Sequence, residues 1–230
     1  GVDLCIGGET VLVADGLYRT GERVVPGCLA SNRLVILRNI TVRSVNGPAT
    51  TIIEGTATQP QPCMSNAVRG VYMEAGILTG FTVSNGQTAR VYPSADGWGG
   101  GIYCANAGAV VSNCVVCVNV ARGDGGGVWG GTLYNSVISS NTARYGGGIC
   151  NSIVYNSVLD NNNAELGGGA FGCTMLSCLI TSNYGYYGGG ISGDSMLSNC
   201  TLAANSAGVA GGAVDAGNYI TAIYNCRIVN

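Results

Sequence analysis

Apolar and small residues recur along 99–230 with one fixed period. Gly-Gly-Gly begins at Gly125, Gly146, Gly167 and Gly188, so 21 residues separate successive copies. Looser copies begin at Gly99 and, as Gly-Gly-Ala, at Gly211. Stacking the copies aligns Ile102, Val128, Ile149, Ala170, Ile191 and Val214 in one apolar column. A second column holds Val111, Leu133, Val154, Met175, Leu197 and Ile223, and a third holds Val116, Ile138, Leu159, Ile180, Leu202 and Ile228. Between these two runs a column of small residues: Cys114, Ser136, Ser157, Cys178, Cys200 and Cys226. After the third come Asn119, Asn141, Asn162, Asn183 and Asn205. A period of this size marks a solenoid, in which each unit touches only its neighbours and like residues must lie on like.

No useful stretch has the 3.6-residue periodicity of a helix. A leucine-rich repeat also carries an Asn column, but it needs a helix or a longer second limb. Three short apolar pairs in 21 residues fit three short strands and three turns, which predicts an all-β fold, a single parallel β-helix (β-solenoid). Coils about 4.8 Å apart, roughly ten of them, make a rod on the order of 50 Å long. The Asn column predicts a ladder in which each side-chain amide bonds the next coil. The Gly-Gly-Gly segments predict turns with positive φ and close backbone approach.

Residues 1–98 are less regular. Gly8–Tyr18 reads as one short strand ended by a turn at Asp15-Gly16, and 34–45 alternates apolar and polar residues through Ile40-Thr41-Val42-Arg43. Thr51–Gly55 and Gly76–Val83 are further short strands. Two stretches read as loop insertions: 56–70, with two prolines and Cys63, and 86–98, with Pro93, Asp96 and Trp98. The chain is therefore expected to be one continuous domain in two parts. Irregular coils with insertions occupy 1–98, and regular repeats of 21–26 residues occupy 99–230.

Composition narrows the function. Glycine counts 39 but proline only 5, with no G-X-Y period, which excludes collagen. Charged residues are 10% of the chain, with no Lys, no His and a net charge of −2. No basic stripe is available for nucleic acid. No apolar run is long enough for a membrane span. The 11 cysteines lack zinc-like spacing, Cys114 and Cys117 apart, and there is no His co-ligand, so no metal site and no cofactor are expected. That many cysteines favours an oxidising, extracytoplasmic home. N-x-[ST] glycosylation acceptors occur at Asn39 and Asn199.

The repeat [VIL]-x-x-Asn followed by GG[GA]-[IV] stands here as Ile138…Asn141 with Gly146-Gly147-Gly148-Ile149. It recurs as Leu202…Asn205 with Gly211-Gly212-Ala213-Val214. It resembles the repeats of polymorphic outer-membrane proteins. Gly8–Tyr18 looks like the entry strand of right-handed β-helices of the pectate-lyase-like superfamily. The resemblance implies right-handed coiling and an extracellular or cell-surface location. It implies no specific activity, because the superfamily holds lyases, hydrolases, adhesins and passive stalks.

No catalytic residue stands out. Asp124, Asp160, Glu165, Asp194 and Asp215 fall in different columns, and Arg144 with Glu165 reads as a surface ion pair. Tyr103, Trp129, Cys150 and Phe171 follow the first apolar column by one residue, and Trp98, Tyr145 and Tyr187 precede the triplets. Both sets should face outward. Trp98, Tyr103, Trp129, Tyr145 and Tyr187 are thus candidate binding residues for a carbohydrate or host-surface ligand. The competing reading is that they stack on one another to join coils. Cys178, Cys200 and Cys226 form a candidate disulfide or thiol ladder, with free thiols preferred because in-register Cβ atoms stand slightly far apart. Both ends lack an evident cap, which fits either a fragment whose caps lie outside this sequence or end-to-end self-association into filaments. The expected function is an extracytoplasmic structural or adhesive solenoid. The alternative is a polysaccharide lyase or glycoside hydrolase.

Overall fold

A computed structural model describes residues 2–55, 67–89, 95–217 and 221–229. The chain is a parallel β-helix with three nine-stranded sheets and a fourth of four strands. Each circuit from Val128 onward crosses face one (Val128–Trp129), face two (Thr132–Tyr134), face three (Val137–Ser139) and face four (Thr142–Tyr145) before the next glycine triplet. Val128 lies beside Ile149, Ile149 beside Ala170 and Ala170 beside Ile191, so the 21-residue sequence period is one circuit. Strand–crossover–strand connections within one parallel sheet are right-handed, and the coil takes that hand.

The three apolar columns line the lumen. Ile138, Leu159, Ile180 and Leu202 are completely buried, as are Leu133, Val154 and Leu197 on face two. Each such side chain contributes about 1.5–3 kcal/mol by leaving water. At the last described coil the same columns emerge: Ile223 is 39% and Ile228 50% exposed.

The corners explain the polar columns. Asn135, Asn156 and Asn199 adopt positive φ at the corner between faces two and three, where Asn tolerates the left-handed region best among non-glycine residues. The small residue that follows each turns inward, and the Ser136 hydroxyl accepts from Cys114 N–H at 3.2 Å. The next corner repeats the design. Ser140 and Asn161 take positive φ, and Asn141 and Asn162 then point into the lumen. Asn141 Nδ2 donates to Asn162 Oδ1 at 3.0 Å, and Asn162 Nδ2 to Asn183 Oδ1 at 2.9 Å. The same oxygens accept the backbone N–H of the preceding coil's Asn. Each Asn also donates to a face-three carbonyl, as Asn162 does to Ile138. In the triplets, Gly146 needs its positive φ of 61°. Gly147 and Gly148 serve close approach: a Cβ would sit 2.3 Å from Asn163 O and 2.6 Å from Gly169 O respectively.

Several sequence expectations change. Three strands per coil become four where Thr142–Tyr145, Asn163–Leu166, Tyr184–Tyr187 and Ser206–Ala210 pair. These segments carry no strong apolar pair, so their strand character arises from stacking. Gly8–Tyr18 is two strands on different faces, Thr10–Val13 and Gly16–Tyr18, and the 76–83 run likewise divides into Gly76–Thr79 and Thr82–Ser84. Residues 34–45 divide between Ser31–Ile36 and Thr41–Ser44. In each case a corner interrupts what reads as one apolar run. Most of the first insertion, with Cys63, and residues 90–94, with Pro93, lie outside the described residues. The first insertion ends earlier than expected, because Val68–Met73 is a fully buried face-one strand.

The start is more covered than anticipated. Arg23–Val24 folds back antiparallel on Ser31–Ile36, sealing that edge of face one. Val2 and Cys5 pack against the lumen, tied by an Arg23–Asp3 ion pair and a bond from Arg38 to the Cys5 carbonyl. Val2 borders two cavities of about 360 and 300 Å³. Strand edges remain on faces two and three.

Two stability predictions follow from the corners. Asn162→Ala removes an acceptor shared by two donors and two donated bonds inside the lumen. It should cost about 3–4 kcal/mol, read from the denaturant midpoint at unchanged slope. Val118 holds φ 58° while 54% exposed, in a corner where its counterparts are Ser, Asn or Ala. Val118→Asn should relieve about 1 kcal/mol of backbone strain and raise the midpoint.

Candidate functional site

The densest chemistry lies outside the barrel, on face one and the corner before it. Tyr72, Tyr103, Trp129, Cys150 and Phe171 follow one another along the outer side of face one. The column before the triplets holds Trp98, Asp124, Tyr145, Leu166 and Tyr187, since each following glycine donates to the next coil's residue in that column. Two aromatic columns thus run side by side along the rod.

Their rings pack on each other. Trp98 and Trp129 stack with centroids 4.8 Å apart and planes 15° off parallel. Tyr103 lies 5.1 Å from Trp129, 6.4 Å from Trp98 and 5.5 Å from Tyr72. Tyr103 is consequently only 8% exposed, which corrects the expectation that it faces solvent. Val25, Val35, Tyr72 and Tyr103 form a second small core, with Cys28, Ala95, Trp98 and Trp129 packed against it. Higher on the rod Tyr145 stacks on Phe171 at 5.2 Å, and Tyr187 meets Tyr186 edge to face at 5.1 Å. The candidate binding residues therefore divide. Trp98, Tyr103 and Trp129 make one cluster, while Tyr145 and Tyr187 stand apart from it, and Tyr187 is 36% exposed.

Arg69 holds this outer core, and no sequence signal marked it. It is 1% exposed and donates to the carbonyls of Ala95, Trp98 and Gly99 and to Asn32 Oδ1. Its guanidinium lies 5.0 Å from the Tyr103 ring centre, a cation–π contact. Burial pulls its pKa down to about 10, so it remains charged at neutral pH. Asp96 adds a clamp by accepting from Leu29 and Ala30 N–H. The start of the chain and the second insertion are thereby pinned together over face one. A lone Arg after an insertion reads as surface charge until the fold closes over it.

Asp124 is the unusual carboxylate. It is 7% exposed, and its Oδ1 is buried without a hydrogen-bond partner. The indole N–H groups of Trp98 and Trp129 are orphaned as well. A Cβ on the neighbouring Gly123 would lie 2.8 Å from Trp98 Cδ1, so the indole rests directly on the backbone. Burial raises the Asp124 pKa to about 6, opposed by the positive charge of Arg144. Arg144 itself pairs with Glu165 at 3.3 Å on the surface. Asp160 lies on face three and Asp215 on face one.

Cys28, Cys104, Cys114, Cys117, Cys150, Cys173, Cys178, Cys200 and Cys226 are free thiols. Cys178, Cys200 and Cys226 stack at one corner: Cys178 N–H donates to Cys200 Sγ at 3.4 Å, and Cys200 N–H to Cys226 Sγ at 3.3 Å. They take the place of Ser136 and Ser157 in the column as acceptors for the coil before. Burial pushes the Cys114 and Cys173 thiols up to about 11, so both are protonated and unreactive at neutral pH. No group of His, Cys, Asp and Glu among the described residues is arranged to hold a metal ion. Among the described residues no helix is long and apolar enough to cross a membrane.

The chain matches no protein-family model, no curated protein and no solved structure. The parallel β-helix accordingly stands on the geometry of the chain itself.

The Asp124 site carries a pH prediction. Its folded pKa of about 6 lies above the ordinary value of 3.8, so the fold disfavours the charged form. Below about pH 4 the carboxyl is protonated folded or unfolded and costs nothing. Stability should fall as pH rises through 4 to 6 and stay low above it. Asp124→Asn should raise stability by about 1 kcal/mol at pH 8 and change little at pH 4, measured by thermal melts at both.

Proposed function

We propose that this chain is an extracytoplasmic structural or adhesive β-solenoid. The observation that carries this reading is a stiff, evenly spaced rod bearing outward aromatic rings. The Asn ladder from Asn119 to Asn205 binds successive coils without a break. Tyr145, Phe171 and Tyr187 then stand at fixed intervals along it. Rigid aromatics engage a ligand at little entropic cost, and sugar faces stack on such rings. The resemblance of the repeats to those of polymorphic outer-membrane proteins supports a surface location, as do the many cysteines. The reading includes end-to-end association of copies through strand edges, which pair readily with another chain.

A second reading, a polysaccharide-cleaving enzyme, draws on Asp124. A carboxyl pushed to about 6 beside indole rings has the character of a general acid. A panel of immobilised uronate and neutral polysaccharides tests both readings. The adhesive reading expects retention that drops at least tenfold in Tyr145→Ala/Tyr187→Ala, with no new reducing ends. Reducing ends that appear with the native chain and vanish with Asp124→Asn would establish the enzyme instead. Negative-stain micrographs test the assembly: strings of rods support it, and rods dispersed at one-subunit length overturn it.

A further inference from the structure

Face two carries an outer surface with no charged residue over seven coils, whereas face three carries Asp160 and Arg227. From Ile77 to Tyr224 its outward positions form two columns. One runs through Val110, Thr132, Ile153, Thr174 and Met196, and the other through Ser112, Tyr134, Tyr155, Leu176 and Ser198. None of these residues is charged. Ile153 is 42% and Met196 46% exposed, and Tyr134 and Leu176 are each 37% exposed. The Tyr134 and Tyr155 rings stack at 4.9 Å and 8°, so the aromatic surface is already ordered.

We propose that face two is the lateral interface between two copies of this chain, packed sheet on sheet with the rods parallel. Size supports this occupant. Seven coils at about 4.8 Å by a three-residue strand let two such faces remove on the order of 1,000 Å² from water, about the threshold for a specific interface. Charge supports it too. From Ile77 to Tyr224, beyond the exposed Arg43 one coil earlier, the face has no ionic group to select an acidic or basic partner and buries no unpaired charge against itself. Shape gives the arrangement. Over 132–176 the first column is the smaller and the second the bulkier. A two-fold axis along the rod sets Tyr134 against Thr132 of the second copy, Tyr155 against Ile153, and Leu176 against Thr174. Large meets small on both sides, and the contact is isologous and closed. The proposal rests on the fold and not on adhesion, and it differs from end-to-end growth, which uses strand edges.

Sedimentation velocity of the full chain over ~1–200 µM tests it, because an interface at this threshold predicts a micromolar dimer. The native chain should shift from monomer to dimer. Ile153→Arg should weaken that association at least tenfold, while Thr181→Arg on face three should leave it unchanged. Should Ile153→Arg fail to fold by circular dichroism, Thr132→Glu places a charge in the same column. A native chain that stays monomeric throughout overturns the proposal, as does an Ile153→Arg chain that associates like the native one. A monomer that instead floats with phosphatidylcholine vesicles assigns the face to lipid and overturns it equally. End-to-end strings that survive Ile153→Arg leave the filament reading intact and separate the two outcomes.

Discussion

The structure depends on one constraint: every coil must lie in register on the one before it. A residue inside a solenoid has no distant partner. Its contacts are its own counterparts one circuit earlier and one later, so a slip of one residue would break every column at once. The Asn ladder enforces the register most strictly. Its amides are fully buried from Asn119 to Asn183, and each is satisfied only when the next Asn stands directly above. A shifted coil would leave several buried polar groups unpaired, each costing about 1–3 kcal/mol. The glycine triplets impose the complementary steric limit, since at Gly147 and Gly148 the neighbouring backbone occupies the space of a side chain.

The outward face is free of that constraint, and there the chain diversifies. On face one it builds a second core over the barrel, with Arg69 buried at its centre and two segments distant in sequence pinned on top. On face two it leaves a long uncharged surface. At the corner before face one it buries Asp124, where the loss of hydration outweighs the nearby Arg144. One scaffold thus presents three unlike environments a few residues apart, because strand alternation hands every second residue to the outside.

The regular half was legible from periodicity alone. Like residues repeat at 21-residue intervals because the coils stack, so the lumen columns, the ladder positions and the fold class could be read without coordinates. The fourth sheet was not legible. Thr142–Tyr145 and its counterparts bury only the small residues Ala143, Ala164 and Gly185 well, and their strand form comes from the coils on either side. Nor did apolar runs reveal their corners: Gly76–Val83 reads as one strand because turning at Gly80 leaves its apolar content unchanged.

What the sequence determined by itself is the repeat, because each unit's environment is another copy of the same unit. It placed the aromatic residues in two columns as well. Only the tertiary structure decided which of them meet water. Tyr103 and Phe171 occupy equivalent outward sites on face one, yet Tyr103 is buried and Phe171 only half-buried. The difference lies in segments far away in the chain, around Cys28 and Ala95, which fold over one and not the other. Burial of Arg69 and the raised pKa of Asp124 have the same origin. Both follow from desolvation by residues that no local pattern brings near, and that quantity exists only once the coils have closed.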